Sequence, residues 1–326
     1  FNNWGVKMYW NNMPLTNAEG ITLLDDVDFS YINNIEVIKG PASTMYGGGI
    51  GGTVKFYTRP SFEKGTSISQ NTMVGSYKHF QSVTQLNTSD TNYNFNVNYG
   101  HIQTDGYRPS GYGLKNFVNI NGEYKLNGKQ KITLFASQGY SHEKVSGQIS
   151  YQDYYAGIDN GNVNYINKGA GSKIQSTRVG VGHVWEINTH LKNTTTVFYS
   201  SVNHDRIADK AFEVSTSPNI GFRTVFQHNY QWGDFTNQID FGAEVQNSKS
   251  QISNYRFSGT NPANPMEMSP LSKGSYFKYN NNQSNYFAVE RLTYQPWQLT
   301  FLAGVSFNRI NYDRSDLLAY QGLVAG

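Results

Sequence analysis

The chain has 326 residues, of which 37% are hydrophobic, 15% charged and 15% aromatic, with 32 glycines and no cysteine. Both the hydrophobic and the charged shares fall below the roughly 45–50% and 25% of ordinary globular chains, but the wealth of rings excludes ordinary disorder, and Ala, Leu, Glu and Lys are too few for a helical bundle. A net charge of +3 is too small to point to nucleic acid, the lack of cysteine removes disulfides, thiolate catalysis and cysteine-ligated zinc, and no apolar run approaches the ~18 residues of a transmembrane helix.

In chain order, Val6–Trp10 and Ile35–Ile38 are short apolar runs with strand character, the second preceded by the turn Asn33-Asn34. Lys39-Gly-Pro-Ala-Ser-Thr-Met-Tyr46 reads as a turn, with Gly40-Pro41 fixing φ at its start. Five glycines lie between Gly47 and Gly52, where they permit positive φ and close backbone approach. Thr53–Thr58, rich in β-formers, follows as a strand. A phosphate-binding loop would need Gly-x-x-x-x-Gly-Lys-[Ser/Thr] and a helix behind it, and neither is there. Glu36 and Lys39 form either an ion pair at an interface or a solvated pair on one strand.

From about residue 65 the pattern changes to long alternating strands. Tyr93, Phe95, Val97 and Tyr99 alternate with Asn94, Asn96, Asn98 and Gly100. Val179, Val181 and Trp185 oppose Arg178, Gly180, Gly182 and Glu186. Phe241, Ala243 and Val245 oppose Asp240, Gly242 and Glu244, and Leu299, Phe301, Ala303 and Val305 oppose Thr300 and Gly304. Period two puts one set on each face of a sheet. Tight connections at Asn127-Gly128, Asn188 to His190, Gln231 to Asp234 and Gln295-Pro296 alternate with long polar segments near 102–113, 142–173, 202–221 and 248–284, all read as loops. One long connection after one short is the plan of an outer-membrane barrel, and the strands approach the ~9–11 residues that cross a bilayer at a tilt. A soluble propeller or sandwich also alternates, but with shorter strands of ~5–6 residues. The expected fold is therefore all-β: about eleven strands of a larger transmembrane antiparallel barrel. No closing strand, initiator Met or signal peptide is evident, so the chain reads as a piece of a longer protein.

The segment Ile35-Glu-Val-Ile-Lys-Gly-Pro-Ala-Ser-Thr-Met-Tyr-Gly-Gly-Gly-Ile-Gly-Gly-Thr-Val54 resembles the end of the plug domain of TonB-dependent outer-membrane receptors. In that family Ile-Glu-Val is followed by Arg-Gly-Pro, a small-residue turn, Tyr-Gly and Ile-Gly-Gly before a last strand. Tyr9-Trp-Asn-Asn-Met-Pro-Leu-Thr16 looks like the upstream plug strand, which usually reads Asp-Gly-x-Pro. The matching motif residues are Glu36, Lys39, Gly40, Pro41, Tyr46, Gly47, Gly51 and Gly52. Lys39 replaces the usual Arg and loses its bidentate fork, and Asn11-Asn12 replaces Asp-Gly. The resemblance implies a plug end at 1–60 and the N-terminal half of a barrel at 61–326, in the outer membrane of a Gram-negative bacterium.

It also implies active import of a ferric siderophore or ferric chelate, with outer-membrane lipid around the barrel and a TonB-type energy-coupling protein acting through a segment upstream. Haem, cobalamin or a glycan is the alternative cargo within the family. Large glycan importers usually show Arg-Gly-Ala-Asn-Gly where this chain has Lys39-Gly-Pro-Ala-Ser43. A passive porin or adhesin barrel fits residues 65–326 but has no plug before it. Ligand is expected between plug and outer loops. The candidates are Arg108 and Tyr112 in one polar segment, His142, Tyr151, Tyr154 and Tyr155 in the next, and Arg206 in the third. Arg suits anionic chelates and Tyr planar ones, while ordinary loop residues are the plain alternative for each. No cofactor or metal site and no enzymatic constellation is expected: His142-Glu143 is not His-Glu-x-x-His, and Gly-x-Ser-x-Gly does not occur.

Overall fold

The computed structural model describes residues 5–25, 27, 29, 32–47, 51–58, 64–208, 211–261 and 264–318, with side chains described outside 41–43 and 258–272. β1 (Val6–Trp10) and β4 (Gly52–Tyr57) lie parallel, with Val6 beside Gly52 and Trp10 beside Phe56. A parallel pair needs a long crossover, and residues 11–51 provide it. Within that crossover, β2 (Met13–Pro14) folds back on β1, and β3 (Asn34–Ile38) pairs antiparallel with β4. The order is β2-β1-β4-β3. Strands this short make little core of their own. Trp10, Met13, Leu15, Val27 and Phe56 bury themselves together with Phe135 and Phe198, which come from the second sheet.

That second sheet has eleven strands, each antiparallel to its sequence neighbours. They are β5 (Gly65–Gly75), β6 (His79–Ser89), β7 (Tyr93–Thr104), β8 (Gly113–Asn127), β9 (Gln130–Lys144) and β10 (Gly171–Glu186). There follow β11 (Leu191–Ile207), β12 (Phe212–Trp232), β13 (Phe235–Asn261), β14 (Asn264–Tyr294) and β15 (Leu299–Asp316). Register assigns the faces. Gly180 stands opposite both Phe135 and Phe198, which pack on the small sheet, so that side is the lumen. Ile174, Ser176 and Arg178 share it and are buried, while Val179, Val181 and Trp185 point out and are exposed. Exposed apolar residues on one face and buried polar ones on the other suit lipid outside and a filled, polar lumen within.

The strand count agrees with the sequence reading; two of its loops do not. The segments 202–221 and 248–284 are largely strand, with β11 running to Ile207, β12 starting at Phe212, and only 262–263 lying between β13 and β14. β13 and β14 are 27 and 31 residues long, against roughly 10 needed to cross the hydrocarbon. Beyond the bilayer both faces meet water, so hydrophobic alternation is lost although the hydrogen-bonded ladder continues. The connection after β9 is a true loop carrying α1 (Tyr151–Tyr155) and α2 (Val163–Asn167), each capped by a side chain, Ser150 and Asn162.

Candidate functional site

The small sheet is fastened inside the barrel by a buried charge cluster. Glu244 on β13 accepts from Lys7 Nζ of β1 at 2.5 Å, Tyr9 Oη at 2.7 Å and Arg223 Nη1 of β12 at 2.8 Å. Arg223 also donates through Nη2 to the carbonyl of Met45 at 3.0 Å, and its guanidinium lies 4.9 Å from the ring centre of Tyr46 and 5.0 Å from that of Phe287. Burial pulls the Lys7 ammonium down, against an upward push from Glu244. Burial and the Glu244 charge hold the Tyr9 phenol far above its ordinary value, and burial lifts Tyr46 to about 12. A second thread runs from the plug backbone to the same carboxylate: Ala18 N donates to Asn219, Asn219 to Gln246, and Gln246 to Glu244.

The glycine-rich segment serves this docking. Lys39 precedes a 3-10 turn, Gly40–Tyr46, which has Pro in its first turn and presents Tyr46 edge-on to Tyr9 at 5.1 Å. Gly47 has φ 59 and ψ 166, a region in practice restricted to glycine. A Cβ there would lie 2.6 Å from Cγ of Asn285 on β14. Gly51 N donates to the Gly5 carbonyl at 2.7 Å, and Gly52, at φ 106, passes within 2.6 Å of the Ile38 carbonyl on the same Cβ test. Glu36 takes its hydrogen bond from Tyr57 Oη at 2.6 Å. Burial draws the Lys55 ammonium down to about 8, where it lies over the rings of Tyr57 (4.9 Å) and Tyr46 (5.6 Å).

Two cavities separate plug and wall toward the short-turn rim. One, of 280 Å³, lies between the plug residues Trp10, Asn11 and Tyr57 and the lumenal residues Asn96, Asn121 and Lys131. The other, of 300 Å³, gathers Glu36, Lys55, Tyr46, Arg223, Asp240 and Arg291. They share Asn11, Asn12, Tyr57, Lys192, Thr194 and Thr196, so polar space is continuous along the inner face of β11.

At the opposite rim the seven ligand candidates fall into four groups. Arg108, in the β7–β8 loop, pairs with Asp159 of the β9–β10 loop at 2.5 Å, and Ser146 donates to the Pro109 carbonyl, tying the two loops together. Tyr112 packs edge-on to His142 at 5.5 Å, and His142, opposite Lys173 and Leu114, stands on the outward face of β9. Tyr151, Tyr154 and Tyr155 are exposed on α1 and contact one another, Tyr155 lying 4.5 Å from Tyr151 and 5.3 Å from Tyr154. Arg206 is on the lumenal face of β11, opposite Glu213.

A lumenal group was missed by sequence reasoning. Phe277 and Tyr279 on β14 and Tyr312 and Arg314 on β15 share the inner face, with Tyr279 opposite Arg314. Arg314 lies 3.9 Å from the ring centre of Phe277, and Tyr279 is 5.6 Å from Tyr312. Tyr312 also lines a 160 Å³ hollow whose other side is the plug loop at Glu19 and Gly20. Glu19 is itself held by Ser248 and Ser250 of β13. Phe277 and Tyr279 lie inside a stretch read as loop, and only a strand assignment would have put them on one face with Arg314. Among the described residues no group of three or more His, Cys, Asp or Glu is placed to hold a metal ion.

Residues 1–53 match the TonB-dependent Receptor Plug Domain family. The chain superposes on the ferric citrate transporter FecA in its unliganded form with a TM-score of 0.79 at 12% identity, over 97% of this chain and 49% of that one. The siderophore receptor PiuA from Acinetobacter baumannii gives 0.73 at 12% identity, covering 95% and 51%, and the ferric-catecholate import receptor Fiu from E. coli K12 gives 0.70 at 13%, covering 95% and 53%. The chain thus spans about half the length of the structures it matches, with residues 1–53 similar to that plug family and the remainder similar in fold to part of their barrels.

Proposed function

We propose that the chain is the C-terminal part of the plug, ending near residue 60, and the first half of the barrel of a TonB-dependent transporter that imports a ferric siderophore or similar ferric chelate. The observation that carries this reading is the buried Glu244 cluster joining a plug strand to the wall. Beside its apolar contacts with Phe135 and Phe198, the plug is held to the wall by buried ion pairs that lose most of their strength once either partner is withdrawn, and polar space lies next to them. Ligand enters at the long-loop rim, where Phe277, Tyr279, Tyr312 and Arg314 offer ring faces and a fixed positive charge beside the plug loop at Glu19. Arg108, Tyr112, His142, Tyr151, Tyr154, Tyr155 and Arg206 form the outer part of the same approach. A pull on the plug from an inner-membrane partner then breaks the Glu244 contacts and frees a path along the wall. No covalent step is required, and the iron is cargo.

Whole-cell uptake of labelled ferric chelates, with and without a proton gradient, tests the proposal. Uptake is expected to need both the receptor gene and the gradient. Uptake that persists after the gradient is collapsed would overturn it in favour of a passive pore.

A further inference from the structure

On the outer surface at the short-turn rim, five aromatic residues and one acidic turn residue, Asp234, line a single hollow. Trp232 ends β12, Phe235 opens β13, and Gly233-Asp234 makes the turn between them. Tyr294 ends β14, and Trp297 lies in the Gln295–Trp297 turn before β15. The rings are in continuous contact: Trp232 to Phe235 at 5.6 Å, Phe235 to Tyr294 at 5.0 Å, Tyr294 to Trp297 at 5.5 Å. Leu299 and Phe301 extend the same face along β15 toward the middle of the membrane. Together with Asp234 these residues line an open hollow of 520 Å³. Trp297 is 77% exposed and Phe301 61%, so the patch is apolar and uncovered. Register puts Trp232, Phe235, Tyr294, Leu299 and Phe301 on the lipid side, with Trp232 opposite Phe235 and Tyr294 opposite Leu299.

A row of interfacial rings alone would only mark the membrane boundary. Asp234, lining the same hollow, adds an anion to it and with it chemical selection. Ring faces attract cations, and aromatic cages take ammonium groups in preference to anions. A carboxylate in the same hollow repels a phosphate-terminated or purely anionic headgroup and pairs with an ammonium. We propose that this hollow binds one phospholipid whose headgroup ends in a primary ammonium, of the phosphatidylethanolamine type. The ammonium sits between Asp234 and the Trp232 and Trp297 rings, and an acyl chain lies over Leu299 and Phe301. The inference rests on the membrane placement alone and not on which cargo the receptor carries, so failure of the uptake experiment would leave it standing.

The test uses the full-length receptor in nanodiscs of phosphatidylglycerol containing graded amounts of brominated phosphatidylethanolamine or brominated phosphatidylglycerol. The readout is the part of the tryptophan quenching that disappears in Trp232→Phe and Trp297→Leu. Half-maximal quenching is expected at a roughly threefold lower mole fraction of the ethanolamine lipid, the ratio an exposed cation–π contact supplies. Asp234→Asn is expected to abolish that preference while the barrel keeps its heat-resistant folded migration. Equal quenching by the two lipids would make the hollow ordinary boundary surface and overturn the proposal, as would a preference that survives Asp234→Asn. If a tryptophan variant fails to fold, total tryptophan quenching of the wild type is compared between the two lipids instead, and equal half-maximal mole fractions overturn the proposal.

Discussion

Glu244 sits among two cations and a phenol, so the buried cluster carries one positive charge in excess. That asymmetry separates two substitutions. Glu244→Gln leaves Lys7 and Arg223 facing each other without a counter-charge and is expected to destabilise plug docking by about 3–5 kcal/mol. Lys7→Met leaves a neutral Glu244–Arg223 pair with Tyr9 still donating, and should cost less or even stabilise. Thermal unfolding of the purified receptor, with protease sensitivity of the plug, ranks the two; the reverse order would show that Lys7 rather than Glu244 organises the site. Gly47→Ala forces an almost glycine-only conformation against Asn285, whereas Gly20→Ala, at φ 79 with no atom within 4 Å, incurs only the backbone term of about 1–2 kcal/mol. The first should exceed the second in the same melt. Lys55 gives the pH dependence. Its folded pKa lies near 8, below the ordinary 10.5, so the charged form is costly in the folded state below pH 8. Between pH 8 and 10.5 the unfolded chain holds more protons, and the contribution of this group to stability rises with pH. Lys55→Met is therefore expected to be more stable than wild type at about pH 7, with the gap closing by about pH 10. The glycine run was legible because its chemistry is local. The Lys7–Glu244 contact was not, because it joins residues 237 apart and Glu244 reads in the sequence as one more polar member of an alternating strand.

At the scale of elements, alternation identified strands wherever lipid touched one face. It failed where a strand leaves the bilayer, as in β13 and β14, because nothing then distinguishes its two sides chemically. The same failure hid the lumenal group proposed as the inner part of the ligand approach. Phe277, Tyr279, Tyr312 and Arg314 come from two adjacent strands and are fixed by register, while Tyr151, Tyr154 and Tyr155 share one five-residue helix in a loop. Strand-borne side chains hold their geometry more closely than loop-borne ones. Arg314→Ala and Tyr279→Ala are accordingly expected to weaken chelate binding about tenfold or more, the loss of roughly 1.4 kcal/mol per contact. Tyr154→Ala with Tyr155→Ala should have a smaller effect, mainly on association. Isothermal titration with candidate ferric chelates separates these; a larger loss from the helix sites than from the strand sites would place the binding site in the loop.

For the whole molecule, the composition that looks too poor for a globular core of 326 residues fits a wall with lipid on one side and a polar interior on the other. The interior is not self-sufficient. The four plug strands are at most six residues long, and their apolar cluster is completed by Phe135 of β9 and Phe198 of β11. Residues 1–60, with their core partly borrowed from the wall, have at best a marginal apolar core of their own. The barrel wall has the opposite character, because each strand is laddered to its sequence neighbours without any plug residue between them. Stability should therefore be one-directional: the wall organises the plug, and the plug does not organise the wall. A peptide covering residues 1–60 is expected to show no cooperative thermal transition by circular dichroism. The full-length receptor deleted through Thr58 is expected to insert as a folded barrel with large, steady conductance in a planar bilayer, where the intact receptor conducts little. A peptide that folds alone, or a deleted barrel that loses its heat-resistant migration, would contradict this dependence and with it the release step, which needs a wall that stays intact while the plug comes away.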